Sequence, residues 1–365
     1  MNMTLPGWVD IVLIPLVNLA LAFFVSGLVV LAIGENPIEA MKFLVVGAFG
    51  SSYGVGYTLF YATSFIFTGL AVAVAFHAAL FNIGGEGQAA IGALGVALVM
   101  LLMEGFSWVV ILPLAIIASA LFGAAWAAIP AYLQARRGSH IVITTIMFNF
   151  ISASLLVYLL VNHLKVEGSM APETKRFANE ATLPLMNNLL AGLGISVTKT
   201  PLNLSFFWAL LSCLGVWFLI WRTKLGYEIR AYGHSEAAAR YAGISPFRII
   251  MIVMLISGAL AGMMAMNVVM GGAQKLVNDP VQGFGFVGIA VALMGRSHPL
   301  GILFASILFG ALYQGGSELA FEMPAITREM ILVIQALVIL FTGALENLTR
   351  APLERLFLSF QQGRN

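Results

Sequence analysis

The sequence predicts an all-α polytopic membrane protein of about ten transmembrane helices, with broken or short helices among them. Three observations carry this. The 365 residues are 60% hydrophobic and only 9% charged, against about 25% charged in an ordinary soluble domain. Apolar runs near the ~20 residues that a spanning helix needs recur from the first dozen residues almost to the end. Between them no stretch is long enough for a large soluble domain, so 1–365 reads as a single membrane unit.

In chain order, the apolar runs place helices at about Trp8 to Ile33, Tyr57 to Leu80, Gln88 to Met103, Trp108 to Leu133 and Ile141 to Val161. Further ones follow at about Leu204 to Trp221, Phe247 to Met270, Phe284 to Met294, Leu300 to Tyr313 and Glu329 to Leu345. The leading MNMTLPGWVD has no Lys or Arg, and the run after it exceeds the ~7–15 residues of a signal-peptide core, so the first helix is expected to stay. Two runs, Gln88 to Met103 and Phe284 to Met294, are shorter than a full span and begin in glycine-rich sequence. Irregular backbone at membrane depth is tolerated only where protein buries it or water reaches it, which makes these two places the first candidates for a pathway.

The positive-inside rule sets the expected orientation. With ten helices, Arg136 and Arg137, then Arg222, Lys224, Arg230, Arg240 and Arg248, then Arg296, and finally Arg350, Arg355 and Arg364 all fall on one side. That side reads as the cytoplasm, with both termini inside. The opposite connections hold Glu35, Glu39, Glu104, Glu167, Glu173, Glu180, Asp279, Glu318 and Glu322. The longest external loop, 163–201, mixes Pro, Asn and charges and reads as a long connection, with a docking surface as the alternative. In the tail, 349–365, Leu353, Leu356, Phe357 and Phe360 share one face beside Arg350 and Arg355, the pattern of an amphipathic helix at the inner surface or against a partner.

Several chemistries are missing. A formal charge of +2 with scattered Lys and Arg gives no stripe for nucleic acid. The lone Cys213 lies in an apolar run and reads as a small buried hydrophobe. No GxxxxGK[ST] loop occurs, so the chain cannot by itself cradle a nucleotide triphosphate in that manner. Gly85, Gly87 and Ala90 fit GxGxx[GA], but that pattern needs a preceding strand, whereas here it follows a membrane helix. His77, His140, His163, His234 and His298 are not at metal-ligand spacings, and no GxSxG elbow or membrane-depth carboxylate pair marks an enzyme. Glu86 and His77 are thin support for the proton relay of an ion-coupled carrier.

Three stretches remain. In FNIGGEGQAAIGALG, Asn82 is a good helix cap and Glu86 suits the N-terminal dipole of the helix that follows. A structural reading needs no more than that; a functional one has Asn82, Glu86 and Gln88 lining a pathway at the break. The small residues after them suit close helix packing. In TTIMFNFISAS, Thr144 and Thr145 can bond back to their own helix, while Thr145 and Asn149 share a face and Asn149 must meet another helix or the pathway. In the inner loop 222–248, Ser235 is a natural cap, Glu236 to Tyr241 a helix-favouring run and Gly243 a stop. Such a short capped helix with small residues suits docking into a partner's groove.

Taken in order, FNIGGEGQAAIGALG, VITTIMFNF, LGYEIRAYGHSEAAARYAGI and GFGFVGIAVALMGRSHPLG resemble the permease subunit of bacterial ABC importers for simple sugars and nucleosides. The resemblance runs from about Gly34 to Leu345 and is strongest to the branch served by a basic-membrane-protein-type nucleoside-binding lipoprotein. It implies a ten-helix permease in the bacterial inner membrane, paired with a second and different permease and with ATP-binding subunits, and fed by an external solute-binding protein. ATP would be used by those partners, with no cofactor or metal in this chain. The family's coupling segment maps onto Gly226, Arg230, Ala231, Gly233, Ala237, Ala238, Gly243 and Ile244, beside Glu236 of the short helix. Its broken pathway helix maps onto Phe81, Asn82, Ile83, Gly84, Glu86, Gly87 and Gln88. Gly85 and His77 depart from the branch, which would place Ala and often Arg there.

Overall fold

The computed structural model describes Val9, residues 13–166 and residues 168–341. Glu167, the start expected for the first helix at Trp8, and the whole amphipathic tail with Arg350, Arg355 and Arg364 lie outside the described residues. Among those described, eight helices are long and apolar enough to cross a membrane, with two shorter apolar ones at Phe284–Met294 and Glu329–Ile339. No strand forms among them beyond an isolated bridge between Leu185 and Asn203. The chain is a multi-pass, all-α membrane protein.

The described residues fall into two compact units, one from 13–54 and 311–341 with Val9, the other from 55–310. The first holds α1 (Ile14–Ala32), α2 (Pro37–Phe49), the end of α13 (Pro299–Glu322) and α14 (Arg328–Ile339). Helix α2 was not expected, although its start is legible: the Asn36 side chain accepts from the Ile38 N–H at 3.0 Å and Pro37 occupies the first turn. Val30, Ala40, Leu319, Met323, Ile331 and Ile334 form its core. Backbones come close here, since a Cβ on Gly315 would lie 2.1 Å from the Leu44 carbonyl oxygen. Helix α13 continues to Glu322, past the expected stop at Tyr313, because SELAFE after the glycine pair is good helix sequence. Glu318 and Glu322 therefore sit in its last turns, and Glu39 in α2, instead of in open loops.

The second unit is built around α3 (Ser52–His77), α4 (Gly85–Leu102) and α11 (Pro246–Ala265, continued by a π-helical stretch Met266–Ala273). Their apolar windows are 83%, 72% and 67% buried, against 22% for α5 (Trp108–Arg137) and 28% for both α6 (Ile141–Leu159) and α8 (Ser205–Arg222). Hydropathy does not separate these two groups, and close glycine contacts run both within the central group and from it to α5. A Cβ on Gly92 of α4 would come 2.5 Å from the Gly262 Cα of α11, and one on Gly123 of α5 2.2 Å from the Gly258 carbonyl oxygen. Such stripes let backbones approach where lipid supplies no hydrophobic drive for association. Helix α4 starts at Gly85 and its 18 residues are enough to span, so the expectation of a short helix there is corrected. Helix α12 (Phe284–Met294) keeps only 11 residues, roughly 16 Å at 1.5 Å each, and is short as expected.

Within the expected external loop, residues 173–183 are packed over the end of α11. The Thr174 N–H donates to the Leu276 carbonyl, that of Phe177 to Gln274 and that of Leu183 to Met270. Lys275 pairs with Glu173 at 2.7 Å and Lys175 with Glu104. The segment's own Phe177, Ala181 and Leu183 are buried, and a short helix α7 (Met186–Ala191) follows.

Candidate functional site

Helix α3 ends at His77, whose ring Nε2 meets the Ser297 carbonyl at 3.1 Å and whose ring stands perpendicular to that of Trp221, centroids 5.1 Å apart. This anchors the helix end and leaves His77 with a packing role. The chain then runs irregularly through Ala78–Gly84 before α4 starts. Phe81 is partly exposed and stacks on Phe76, ring centroids 5.2 Å apart.

Asn82 and Gln88 are fully buried and bonded to each other across the break. The Asn82 amide donates to Gln88 Oε1 at 3.0 Å and to the Ser257 hydroxyl at 2.8 Å, while its Oδ1 accepts from the Gly84 N–H and from Gln88 Nε2. Ser257 of α11 donates in turn to the Ala71 carbonyl of α3 at 2.6 Å. Every polar atom of the Asn82 side chain is thereby engaged. Asn82 is not the cap of α4, however; Gly84 holds that position without a side-chain bond, and Asn82 closes the turn before it.

The caps of the two helices that begin at this point come from elsewhere in the fold. Asn149 of α6 accepts from the Gly87 N–H at 2.9 Å and donates to the Ile83 carbonyl at 3.0 Å, holding both sides of the break. Thr145, buried one turn earlier, bonds back to the Ile141 carbonyl, as threonine in a helix does. Glu86 leaves the N-terminus of its own helix and caps α12: its two carboxylate oxygens accept from the Gly283 and Gly285 N–H groups, each at 2.8 Å. The N-terminal ends of α4 and α12 therefore meet, so closely that a Cβ on Gly285 would lie 2.3 Å from the Glu86 nitrogen. Two positive helix ends converge there, and one carboxylate sits between them. The two glycine-rich starts singled out in the sequence are thus brought together, but Asn82, Gln88, Thr145 and Asn149 spend their hydrogen bonds on protein.

A second buried amide network went unnoticed in the sequence. Asn267, in the π-helical stretch, donates to the Phe60 carbonyl and the Ser64 hydroxyl at 2.9 Å each, and accepts from Asn203 at 2.9 Å and Ser205 at 3.1 Å. A lone asparagine in the apolar run MMAMNVVM was the available signal, as was the lone serine of LISGALAG for Ser257.

The 222–248 loop contains the expected helix, α10 (Glu236–Tyr241), with the Ser235 hydroxyl accepting from the Ala238 N–H at 3.3 Å and Gly243 at φ +81°. It also contains an unexpected one, α9 (Lys224–His234), capped by Thr223. The residues mapped here separate into two groups. Gly226 and Gly233 lie on the packed side of α9, where a Cβ would come 2.2 Å from the Leu219 carbonyl oxygen and 2.2 Å from the His77 carbonyl oxygen, respectively. Arg230 and Ala231 are half-buried beside them, with Arg230 Nε buried and unbonded among the described residues. Burial first, then the nearby Glu236 carboxylate, push the Tyr232 phenol of this helix up from its usual range. Glu236, Ala237, Ala238 and Gly243 are exposed, as are Arg240, paired with Glu236 at 2.8 Å, and Tyr241 at 97%.

The comparisons with known proteins agree with this architecture. Residues 54–343 match the family described as branched-chain amino acid transport system / permease component. The chain is 33% identical to the glucose ABC transporter permease protein TsgB13 of Haloferax volcanii, covering 93% of this chain and 88% of that protein. It is 34% identical to the guanosine ABC transporter permease protein NupP of Bacillus subtilis, covering 91% and 93%. It is also 33% identical to the nucleoside ABC transporter permease protein NupB of Lactococcus lactis subsp. cremoris, covering 90% of each. No solved structure matches the chain. A family match over most of the length, full-length relatives and a polytopic helical body with a broken-helix junction lead to one conclusion: the chain belongs to the branched-chain amino acid transport system / permease component family and is a permease subunit of an ABC importer.

Proposed function

We propose that this permease moves nucleosides into the cell by alternating access driven by ATP hydrolysed on partner subunits, with simple sugars as the second reading. Guanosine and nucleoside permeases among the relatives support the first, and the glucose permease supports the second. The chain sits in the bacterial inner membrane with both termini and the 222–248 loop on the cytoplasmic side. It holds no cofactor of its own and works with ATP-binding subunits, a second, different permease and an external solute-binding protein.

The observation that carries the reading is the connection from α10 to the break. Helix α10 shows a partner Ala237, Ala238 and Tyr241, while α9 behind it is seated through Gly233 against His77 and Ala78, where α3 gives way to the irregular stretch. A push on α10 thus arrives at Ala78–Gly84 through packed backbone, where little compression is possible. The Asn82–Gln88–Ser257 network, the Asn149 bridge and the Glu86 clasp are the bonds such a push would rearrange. Phe81, Asn82, Glu86, Gln88, Thr145 and Asn149 accordingly act as the moving joint of the pathway. In this reading they meet the solute only after those bonds open.

The test is a detergent pull-down of the tagged chain, with co-purified proteins identified and ATP hydrolysis assayed. An ATP-hydrolysing partner together with a second permease is expected. A lone chain that drives uptake into vesicles without ATP would overturn the proposal in favour of an ion-coupled carrier.

A further inference from the structure

On the α12 side of the Glu86 clasp lies a cavity of about 250 Å³ to which nothing above assigns a role. Its walls include Phe60 and Tyr61 of α3, Gly272 of the π-helical stretch, Lys275 and Gln282 of the following segment, and Phe284 at the start of α12. The rings form a connected group. Tyr61 meets Phe284 edge to face with centroids 5.9 Å apart, and Phe284 is backed by Phe65 at 5.2 Å. Gly272 sits close against the Phe60 ring, where a Cβ would come 3.0 Å from it.

The lining selects by chemistry. Lys275 is occupied by Glu173 at 2.7 Å, so the cavity offers little to a phosphate. A hexose brings a hydroxyl on nearly every ring carbon, and each one taken from water without a partner is costly. Few side chains here could supply those partners. A flat heteroaromatic ring, by contrast, gains from aromatic faces and edges and needs few hydrogen bonds. The volume lies just below the ~300 Å³ where ligand pockets commonly begin, which suits a single base with the remainder of the solute at the mouth.

We propose that the cavity is a stacking site for the base of a nucleoside within the permease itself, occupied before the clasp opens. This rests on the nucleoside reading above and adds a place where the permease touches its cargo. Phe284 lies between Gly283 and Gly285, the two residues whose N–H groups hold Glu86. Phe284 is itself only 3% exposed, so a base in the cavity meets the half-buried Phe60 and Tyr61 and bears on the clasp through the Tyr61–Phe284 contact, which links occupancy to opening.

The test uses the whole importer in vesicles loaded with ATP, photolabelled with 8-azidoguanosine, with guanosine and glucose uptake measured in parallel. Expected is labelling within 57–65 and 268–286 that excess guanosine suppresses and excess glucose does not. Tyr61→Leu should lower labelling and guanosine uptake together by about tenfold and Tyr61→Phe much less, whereas Phe218→Leu, at an exposed ring of α8, should change neither. Tyr61 also meets Tyr57 and Phe60, so Tyr61→Phe, which keeps the ring, is the control for lost packing. If ATP-driven guanosine uptake persists in Tyr61→Leu, or the label lies elsewhere, the site is wrong while the importer reading stands. Protection by glucose instead of guanosine also overturns the base site. Vesicles that take up neither solute overturn the nucleoside reading and the base site with it.

Discussion

The hydroxyl that caps α10 comes from Ser235, three residues from the N–H it accepts, whereas α4 is capped by Asn149 from 62 residues away and α12 by Glu86 from 197 and 199 residues away. A local cap leaves a helix self-sufficient and its outer face available to another protein. A cap borrowed from a distant element ties two helices together, so that they cannot part without leaving backbone N–H groups unpaired in a dry interior. One region is therefore built to be touched, and the other to be held and released. Their sequences look alike, each with a polar cap and small residues; their partners differ.

The comparison can be broken most severely at Asn149. Asn149→Leu strands the Gly87 N–H and the Ile83 carbonyl together, a cost on the order of 3 kcal/mol, and should remove most of the folded protein and with it the uptake. Thermal unfolding of the purified chain in detergent checks this, and an unshifted transition would mean the bridge is dispensable. Next comes Ala238→Arg, on the exposed side of α10: uptake should fall to background and ATPase association should weaken, with unfolding moved by no more than ~0.5 kcal/mol. Normal uptake in that variant would return α10 to an ordinary surface helix.

Glu86→Gln should act more narrowly. It keeps the shape but replaces one of the two acceptors with a donor, so uptake per ATP hydrolysed should drop roughly tenfold while assembly persists. Equal coupling in wild type and variant would show that the clasp stays shut, or is irrelevant, during transport. The smallest effect is expected for Arg240→Ala, which deletes an exposed i,i+4 pair worth ~0.3 kcal/mol and should leave uptake within about twofold of wild type. A large loss there would mean that Arg240 itself contacts the ATPase, extending the docking surface beyond the alanines.

Legibility followed the range of the interactions. Helix α10 was readable in both its start and its stop because Ser235, Glu236–Tyr241 and Gly243 supply every signal within a few residues. The two unusual helix starts at Gly85 and Phe284 were readable as breaks, since glycine-rich sequence interrupts an apolar run. Their meeting was not, because nothing in FNIGGEGQ says that Glu86 will turn away from its own helix. Helix α9 escaped because its polar residues suggested a loop, although Gly226, Ile229 and Tyr232 recur at helical spacing and prove to be its buried side. Asn82 reads as a cap, and Asn149 reads equally as a helix contact or a pathway residue, for one reason: an amide's chemistry is local, but its partner is not.

What the sequence determined by itself was the solvent and the class: charge so sparse and apolar runs so regular can only be solvated by a bilayer, and in a bilayer the backbone must close its own hydrogen bonds as helices. It also determined the local caps, whose donors and acceptors lie within one turn. Only the tertiary structure decided which helices became central, which glycines met which backbones, and which distant side chain satisfied each broken end. Those choices depend on complementary groups far apart in the chain arriving together, and a buried N–H accepts whichever carboxylate or amide the fold delivers to it.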